Sequence, residues 1–362
     1  MQRQSNLLTA PIMTRRVLLQ LTCVFSAFAL LMIGLSSPAQ SVQRKEVPPT
    51  NSLTFVSFNV CLVNCQLPAP SWDIRRARVA KVINESGGSI IGLQEATNIA
   101  VPQAKTQWQD IQNLTTPAGY TAVTVTTAAD DCAWRKHLHC VNGPHILYKP
   151  SEVQQTTTPN GSPNAGITML KAINPNLDDT SGRRAVSWAY FKAPATGPFL
   201  VVSMHLPTEK DPLREQARVA VATNMGAWVD AMNITHGFPI TTPTVLLADL
   251  NSYDARQPIG AQRILTNTGW SDAFTSLSRR NIQYPTINHQ PQNENPWHGF
   301  PPQPYRYRSG IATRIDYIML RGPVVAVDYE TMLWLNTNYA FNPDYQASDH
   351  QPIRAVIVLP PA

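Results

Sequence analysis

Charge is scarce in this chain. Only 14% of its 362 residues are Asp, Glu, Lys or Arg, and cysteine is scarcer still, with five in all. There is a single long apolar run, no internal repeat and no shift of composition that would mark a second domain. The lack of repeats excludes a solenoid or propeller array. The cysteine spacings match no common zinc pattern. An excess of basic charge is also lacking. Residues 1–40 hold three of the 29 basic residues and none of the 23 acidic ones, so the chain without them carries 26 against 23, or +3. That is too mild to demand nucleic acid as a partner. What is plentiful is proline, 31 residues, which together with the low charge suits an exported, loop-rich protein.

The amino-terminal segment has its own character. Arg15 and Arg16 precede a 19-residue, largely apolar run, Val17 to Leu35, followed by Ser36-Ser37-Pro38-Ala39-Gln40. A basic region, an apolar stretch and then small residues read as a secretory signal cleaved near Ala39. The run is also long enough for an uncleaved anchor. Thr14-Arg15-Arg16-Val17-Leu18-Leu19 is compatible with twin-arginine export. We therefore expect a signal or anchor over 1–40, a polar linker over 41–52, one catalytic domain over 53–362, and a secreted or periplasmic location. Outside the signal, four cysteines remain: Cys61, Cys65, Cys132 and Cys140. Export favours disulfides, and proximity favours Cys61–Cys65 and Cys132–Cys140. His137 and His139 keep a zinc reading of the second pair open.

Periodicity predicts strands at Leu53–Val60, Ser89–Leu93, Tyr120–Thr126, His145–Tyr148, Ala185–Phe191, Phe199–Met204, Thr244–Ala248, Ile315–Leu320 and Ile353–Leu359. It predicts helices at Asp73–Glu85, Gln103–Leu114, Pro212–Met232 and Gln257–Thr268, the first with Ile74, Ala77, Val79, Val82 and Ile83 at helical spacing. Residues 281–312, with six prolines and many aromatics, read as a long loop. Strands joined by both hairpins and helices imply an α/β fold without a purely parallel sheet.

Short polar motifs stand where these strands stop: Ser57-Phe58-Asn59, Leu93-Gln94-Glu95, Met204-His205-Leu206, Ala248-Asp249-Leu250-Asn251, Arg314-Ile315-Asp316-Tyr317 and Ser348-Asp349-His350. Asp249 and Asn251 are two apart at a strand end, where alternate side chains share a face. A carboxylate beside an amide can hold a water and a phosphate oxygen, although Asp and Asn equally favour a plain turn. Glu95 suits a hard cation, since Mg²⁺ takes one or two carboxylates plus waters and phosphate; alone it would read as a helix-start acid. Asp316 sits in a strand beside apolar neighbours and needs a partner. An imidazole oriented by a carboxylate makes a general base, a role open to His350. His205 supplies a second imidazole for the leaving oxygen or the phosphorane. Singly, each histidine would be an ordinary one; the ordered set points to phosphoester hydrolysis.

In that order of motifs the sequence resembles the endonuclease/exonuclease/phosphatase superfamily, over roughly residues 53–360. The resemblance implies a four-layer α/β sandwich, two mixed β-sheets face to face with helices outside. It implies Mg²⁺, with Mn²⁺ or Ca²⁺ as substitutes, and in-line attack of water on a phosphoester. It makes Glu95 the metal ligand with Asn59 and Asp349 nearby, and has Asp249 and Asn251 position the water and phosphate. It pairs His350, oriented by Asp316, with His205, and puts a phosphate-contacting arginine at Arg184, or equally at Arg183. Cys61 stands where the apurinic-endonuclease branch has an acid, which argues against that branch. Asn142 stands where deoxyribonuclease-like members carry the acid that supports the second histidine.

Three readings of substrate follow. The first is a secreted nuclease, with Arg75-Arg76-x-Arg78 facing phosphates or simply forming a solvated helix face. The second is a sphingomyelinase- or phospholipase C-like lipid phosphodiesterase, with Tyr284, Trp297, Phe300, Tyr305 and Tyr307 of loop 281–312 meeting a membrane surface or a choline-type cation. The third is a non-catalytic binding protein that kept the fold. Nucleic acid ranks first, and we expect a monomer with no obligate protein partner.

Overall fold

The computed structural model describes residues 49–65, 69–124, 143–178, 181, 184–208, 212–253, 259–287 and 313–362. The signal segment, Cys132 and Cys140, Asn142, Arg183 and residues 288–312 lie outside the described residues, and so do the expectations placed on them.

Two mixed sheets carry the fold. In the first the order is β11 (Ser278–Arg280), β13 (Val325–Thr331), β14 (Ile353–Val358), β1 (Ser52–Asn59), β2 (Ile90–Gln94), β4 (His145–Tyr148) and β3 (Thr121–Ala122). In the second it is β10 (Ser271–Asp272), β12 (Asp316–Arg321), β9 (Thr244–Asp249), β8 (Phe199–His205), β7 (Ala185–Lys192) and β5 (Gln154–Gln155), with β6 (Ala165–Met169) also on β7. The β1–β2, β8–β9 and β11–β13 pairs are parallel and the others antiparallel.

The two-residue period of a strand sorts each side chain to one face. On β9, Val245 and Leu247 pack between the sheets, while Leu246 and Ala248 pack outward. On β1, Leu53 and Phe55 point inward, and Val56 and Phe58 outward. The outward face of the second sheet is covered by α4 (Pro212–Thr235) and α5 (Ala261–Asn267), through Ala217, Val221, Met225 and Val229 at helical spacing. The outward face of the first is covered by α1 (Trp72–Glu85) and α2 (Gln107–Thr115). A single helical turn, α3 (Leu170–Ile173), joins the α4 side. The result is helix, sheet, sheet, helix: the expected four layers. The sheets approach closely at Gly92, where a Cβ would come within 2.5 Å of Leu247 Cβ, so a side chain there would force them apart.

Several boundaries moved. The second helix starts at Gln107, because Thr106 caps it by accepting from Gln109 N–H. The fourth runs on to Thr235, and the fifth is cut back to Ala261–Asn267. The reading of α1 erred on its inner face. Ile74 is 52% exposed, and Arg75 takes the buried position one turn before Val79. β6 and β13 had not been expected; Asp328 and Glu330 interrupt the apolar pattern of β13, because they pair with Arg280 and Arg354.

Candidate active site

The strand period that builds the core also builds the site. Asn59, His205, Asp249 and Asp316 have the inward parity of their strands and stand at one end of the inter-sheet core. Below them the filling changes from hydrocarbon to amide and hydroxyl. Gln94 donates to Ser203 Oγ and to Leu247 O, both at 3.3 Å, and Ser203 donates to Leu93 O at 3.0 Å. Above that layer come carboxylates and imidazoles. Register fixes their neighbours: His205 pairs with Asp249 across β8–β9, and Asp249 with Asp316 across β9–β12.

Asp249 is the hub. The facing sheet reaches it through Asn59, whose Nδ2 donates to its Oδ2 at 2.9 Å. His205 Nε2 lies 3.5 Å and His350 Nε2 3.9 Å from the same oxygen. Its other oxygen accepts the Asn251 N–H at 2.8 Å. The strand has ended by then, and Asn251 is left-handed at φ 47°. Asp249 and Asn251 therefore do not share a strand face as expected. They form a turn in which Asn251 Nδ2 swings back to Leu206 O at 3.1 Å. The turn and the site are one feature.

His350 is held from both sides. Ser348 Oγ accepts its N–H at 3.1 Å, and its Nδ1 lies 3.0 and 3.1 Å from the two oxygens of Asp316. Asp316 thus finds the partner its position required. Ser348 also donates to Asn59 O at 2.6 Å, which joins the last motif to the first. Arg184 donates to Leu206 O at 3.3 Å, the carbonyl that Asn251 also uses. Glu95 sits at the exit of β2 with φ 58°, and its Oε2 accepts the Leu62 N–H at 3.0 Å. Among the described residues five non-glycine residues have positive φ, and three of them, Cys61, Glu95 and Asn251, are here. Such backbone is uncommon and tends to gather at functional sites.

The pKa values of the two imidazoles are shifted in opposite directions. Burial lowers the pKa of His350, but Asp316, Asp249 and Asp349 outweigh it and hold that pKa well above the usual histidine value. Burial, with Arg184 and His350 adding to it, holds His205 well below that value. Neither His205 nitrogen finds a hydrogen bond among the described residues. Burial and the neighbouring Asp316 push Asp249 up to about 7. Burial and the charge of Asp349 raise Glu95 as well.

Crowded, half-satisfied carboxylates are what a divalent cation relieves. Glu95, Asp349 and the Asn59 amide oxygen offer hard oxygen donors of the kind Mg²⁺ takes. Asp249, Asp316 and His350 present ligand atoms within 4.8 Å of one another. Asp349 also lies near Cys61 and Cys65, but these form a disulfide, so that trio is no thiolate metal site. By donor chemistry and by electrostatics, the residues present fit a divalent cation.

Asn59, Glu95, Arg184, His205, Asp249, Asn251, Asp316, Asp349 and His350 are brought together at this end, while Arg183, the equal candidate for the arginine, lies outside the described residues. Of the arginine cluster only Arg75 lies against this end, and it faces backbone carbonyls. Arg75 is fully buried and donates to the carbonyls of Val60, Cys61, Leu62, Pro70 and Ala347. Arg76 binds Asp110. Neither a phosphate-facing cluster nor a solvated face describes them. Three parts of the site had not been placed there from the sequence. Gln94 stood inside a quoted motif without a role. Arg75 was signalled by its position four residues before Val79. The disulfide was expected, but nothing in its spacing placed it at the site.

The chain belongs to the endonuclease/exonuclease/phosphatase family, whose model matches residues 56–350. No curated protein matches it significantly in sequence. Among solved structures it is similar to a mannosyl-6-phosphatase of Bacteroides thetaiotaomicron, at 20% identity over 85% of this chain and 100% of that one, with a TM-score of 0.58. A Bacteroides vulgatus family member shares 21% identity over 85% and 99% of the two chains, with a TM-score of 0.57. The human nocturnin catalytic domain shares 15% over 86% and 96%, with a TM-score of 0.52. At these identities the likeness is one of fold. The chain is thus a phosphohydrolase of this family. Among the described residues no helix is long and apolar enough to cross a membrane.

Proposed function

We propose that the protein is an exported, divalent-metal-dependent phosphoesterase that cleaves by in-line attack of water, with a nucleic-acid phosphodiester as its first-ranked substrate. The observation that carries the reaction is the placement of Asp249 within 3.5 Å of a neutral imidazole and 3.9 Å of a charged one. A group whose pKa is raised to about 7 is matched to accepting a proton from water near neutral pH. Asp249, fixed by Asn59 and by the Asn251 N–H, is the base in this reading, and Asn251 holds the phosphate. His350, kept cationic by Asp316, faces the charge that builds on the phosphoryl oxygens. His205 offers its ring to the leaving oxygen, with Arg184 beside it. Glu95, Asp349 and Asn59 would hold the metal, which when bound neutralises phosphoryl charge and acts as a Lewis acid.

One observation favours a second reading, a compact ester such as a lipid headgroup or a sugar phosphate. Arg76, Arg280, Arg314 and Arg321 bind acids and Arg75 binds carbonyls, so these five are committed within the fold rather than offered to a long polyanion. The deciding experiment is turnover by the chain lacking residues 1–40, with Mg²⁺ or with EDTA, on plasmid DNA, sphingomyelin vesicles and mannose 6-phosphate in parallel. EDTA-sensitive nicking of plasmid is the expected result. Phosphocholine or phosphate release with intact plasmid selects the compact ester, and turnover that persists in EDTA rejects the metal mechanism altogether.

A further inference from the structure

The loop Val60–Cys65 contributes no side chain to the reaction proposed above, yet it touches every group assigned to the metal. The Cys61 N–H donates to Asn59 Oδ1 at 3.0 Å, and the Leu62 N–H to Glu95 Oε2 at 3.0 Å. The Sγ atoms of Cys61 and Cys65 and a carboxylate oxygen of Asp349 lie within 4.8 Å of one another. The carbonyls of the same peptides face the other way. Arg75 takes those of Val60, Cys61 and Leu62 at 2.8–3.3 Å, and Gln107 Nε2 takes that of Cys61 at 3.0 Å. The Val60–Cys61 and Cys61–Leu62 peptide planes are thus pinned on their carbonyl sides by a buried cation or amide, with their N–H groups aimed at ligands, and Arg75 also holds the next carbonyl, Leu62 O. Holding Cys61 in left-handed backbone, at φ 55°, is unfavourable for a residue with a Cβ and has to be imposed by its surroundings. The Cys61–Cys65 bridge and the Cys65 N–H to Leu62 O turn close the loop into a short ring around that residue.

We propose that the Cys61–Cys65 disulfide is a positioning element of the cation site. Closed, it keeps the Leu62 and Cys61 N–H groups on Glu95 and Asn59 and keeps the loop against Asp349, so the oxygen donors are arranged before the cation arrives. Opened, the ring relaxes, Cys61 leaves its left-handed conformation, and the two N–H contacts loosen. Opening needs two electrons and two protons; an added dithiol supplies them and becomes its own cyclic disulfide, while Cys61 and Cys65 become thiols. Cation affinity is therefore coupled to the redox state of this pair. By linkage the coupling is reciprocal, so bound Mg²⁺ makes the bridge harder to reduce. The inference rests on the metal reading of Glu95, Asn59 and Asp349.

The test is calorimetric titration of Mg²⁺ into the metal-free chain lacking residues 1–40, as wild type, as C61S/C65S and as C132S/C140S, with a thermal melt of each. We expect Mg²⁺ to bind C61S/C65S at least about tenfold more weakly than wild type, with a cooperative melt retained and C132S/C140S unchanged. A C61S/C65S dissociation constant equal to that of wild type overturns the inference. If C61S/C65S loses its cooperative melt, a variant with one glycine inserted after the exposed Asn64 decides instead. It keeps the bridge and the fold but loosens the ring, so unchanged affinity there also overturns the inference. A wild type that binds no Mg²⁺ fails at the metal reading itself, which this titration tells apart from equal binding by both forms.

Discussion

Arg314 and Asp316 are two residues apart in one motif, and they end in two buried ionic clusters of opposite kind. Arg314 is 4% exposed and forks onto Asp272, 3% exposed, at 3.0 and 3.4 Å. Its guanidinium lies 3.8 Å over the Phe274 ring, with Tyr317 and Tyr329 close behind. The remaining capacity of Asp272 is filled by the Phe274 N–H and by Gln262. Burial works against the charge of Arg314, but Asp272 more than offsets it and raises the pKa. In that cluster the two charges balance, one guanidinium against one carboxylate. Around Asp316 charge does not balance. Asp249, Asp316, Asp349 and Glu95 face the imidazolium of His350 and a neutral His205 that makes no hydrogen bond among the described residues, with the guanidiniums of Arg75 and Arg184 also within reach, three cations to four carboxylates. The closed cluster holds structure. The open one has carboxylates in excess, and in the proposed function that excess is the place for a cation and for a reaction that moves a proton.

The sharpest way to break this comparison is to remove one group from each cluster. His350→Ala removes the imidazolium facing the reaction, and we expect kcat to fall by about 10³-fold, within the ~10²–10⁴ range of a lost acid–base or electrostatic partner. The melt should stay cooperative. Steady-state kinetics and a thermal melt on the same preparation check both halves, and a rate near wild type would remove His350 from the mechanism. Arg314→Met should do the reverse. It strands Asp272 as a buried, unpaired carboxylate, which costs on the order of 3–5 kcal/mol. Chemical denaturation should show that loss equally with and without Mg²⁺. A loss that Mg²⁺ repairs would mean that the closed cluster belongs to the site after all.

Much of this contrast was open to reading in the sequence, and the rest was hidden for a definite reason. Strand parity is a local property, so Asn59, His205, Asp249 and Asp316 could be placed on inward faces from their neighbours alone. The layer order follows from the same alternation. Roles inside the cluster are not local. That His350 is charged and His205 neutral depends on which carboxylates lie across the sheet, and no spacing within Met204-His205-Leu206 carries that. Arg75 is the intermediate case. Its position four residues before Val79 is inward, but the sequence reading put Ile74 on that face and gave Arg75 to phosphate or to solvent, because its five carbonyl partners come from three separate segments. Arg314 was placed in a motif with Asp316 although adjacent parity does not assign adjacent function. Its partner Asp272 is 42 residues away.

The smallest expected effect tests the charge excess directly. Asp249 has its pKa raised from 3.8 to about 7 by burial and by Asp316. An acid whose folded pKa is raised is disfavoured as the anion in the fold. The penalty is absent below about pH 4, where Asp249 is protonated in both states, and complete above about pH 7, where it is ionised in both. Asp249→Asn keeps the shape and an oxygen for the Asn59 amide while deleting the charge. In the absence of metal, D249N should therefore be no more stable than wild type at pH 4 and more stable at pH 8. At ~1.4 kcal/mol per pKa unit the gain is on the order of 2–4 kcal/mol. Saturating Mg²⁺ should shrink the difference, because a cation offsets in the wild type the same repulsion that the substitution deletes. Denaturation curves at the two pH values, with and without Mg²⁺, measure all four corners. If D249N were destabilised at pH 8 as much as at pH 4, the Asp249 carboxylate would be as well satisfied as Asp272, and the two clusters would not differ in kind.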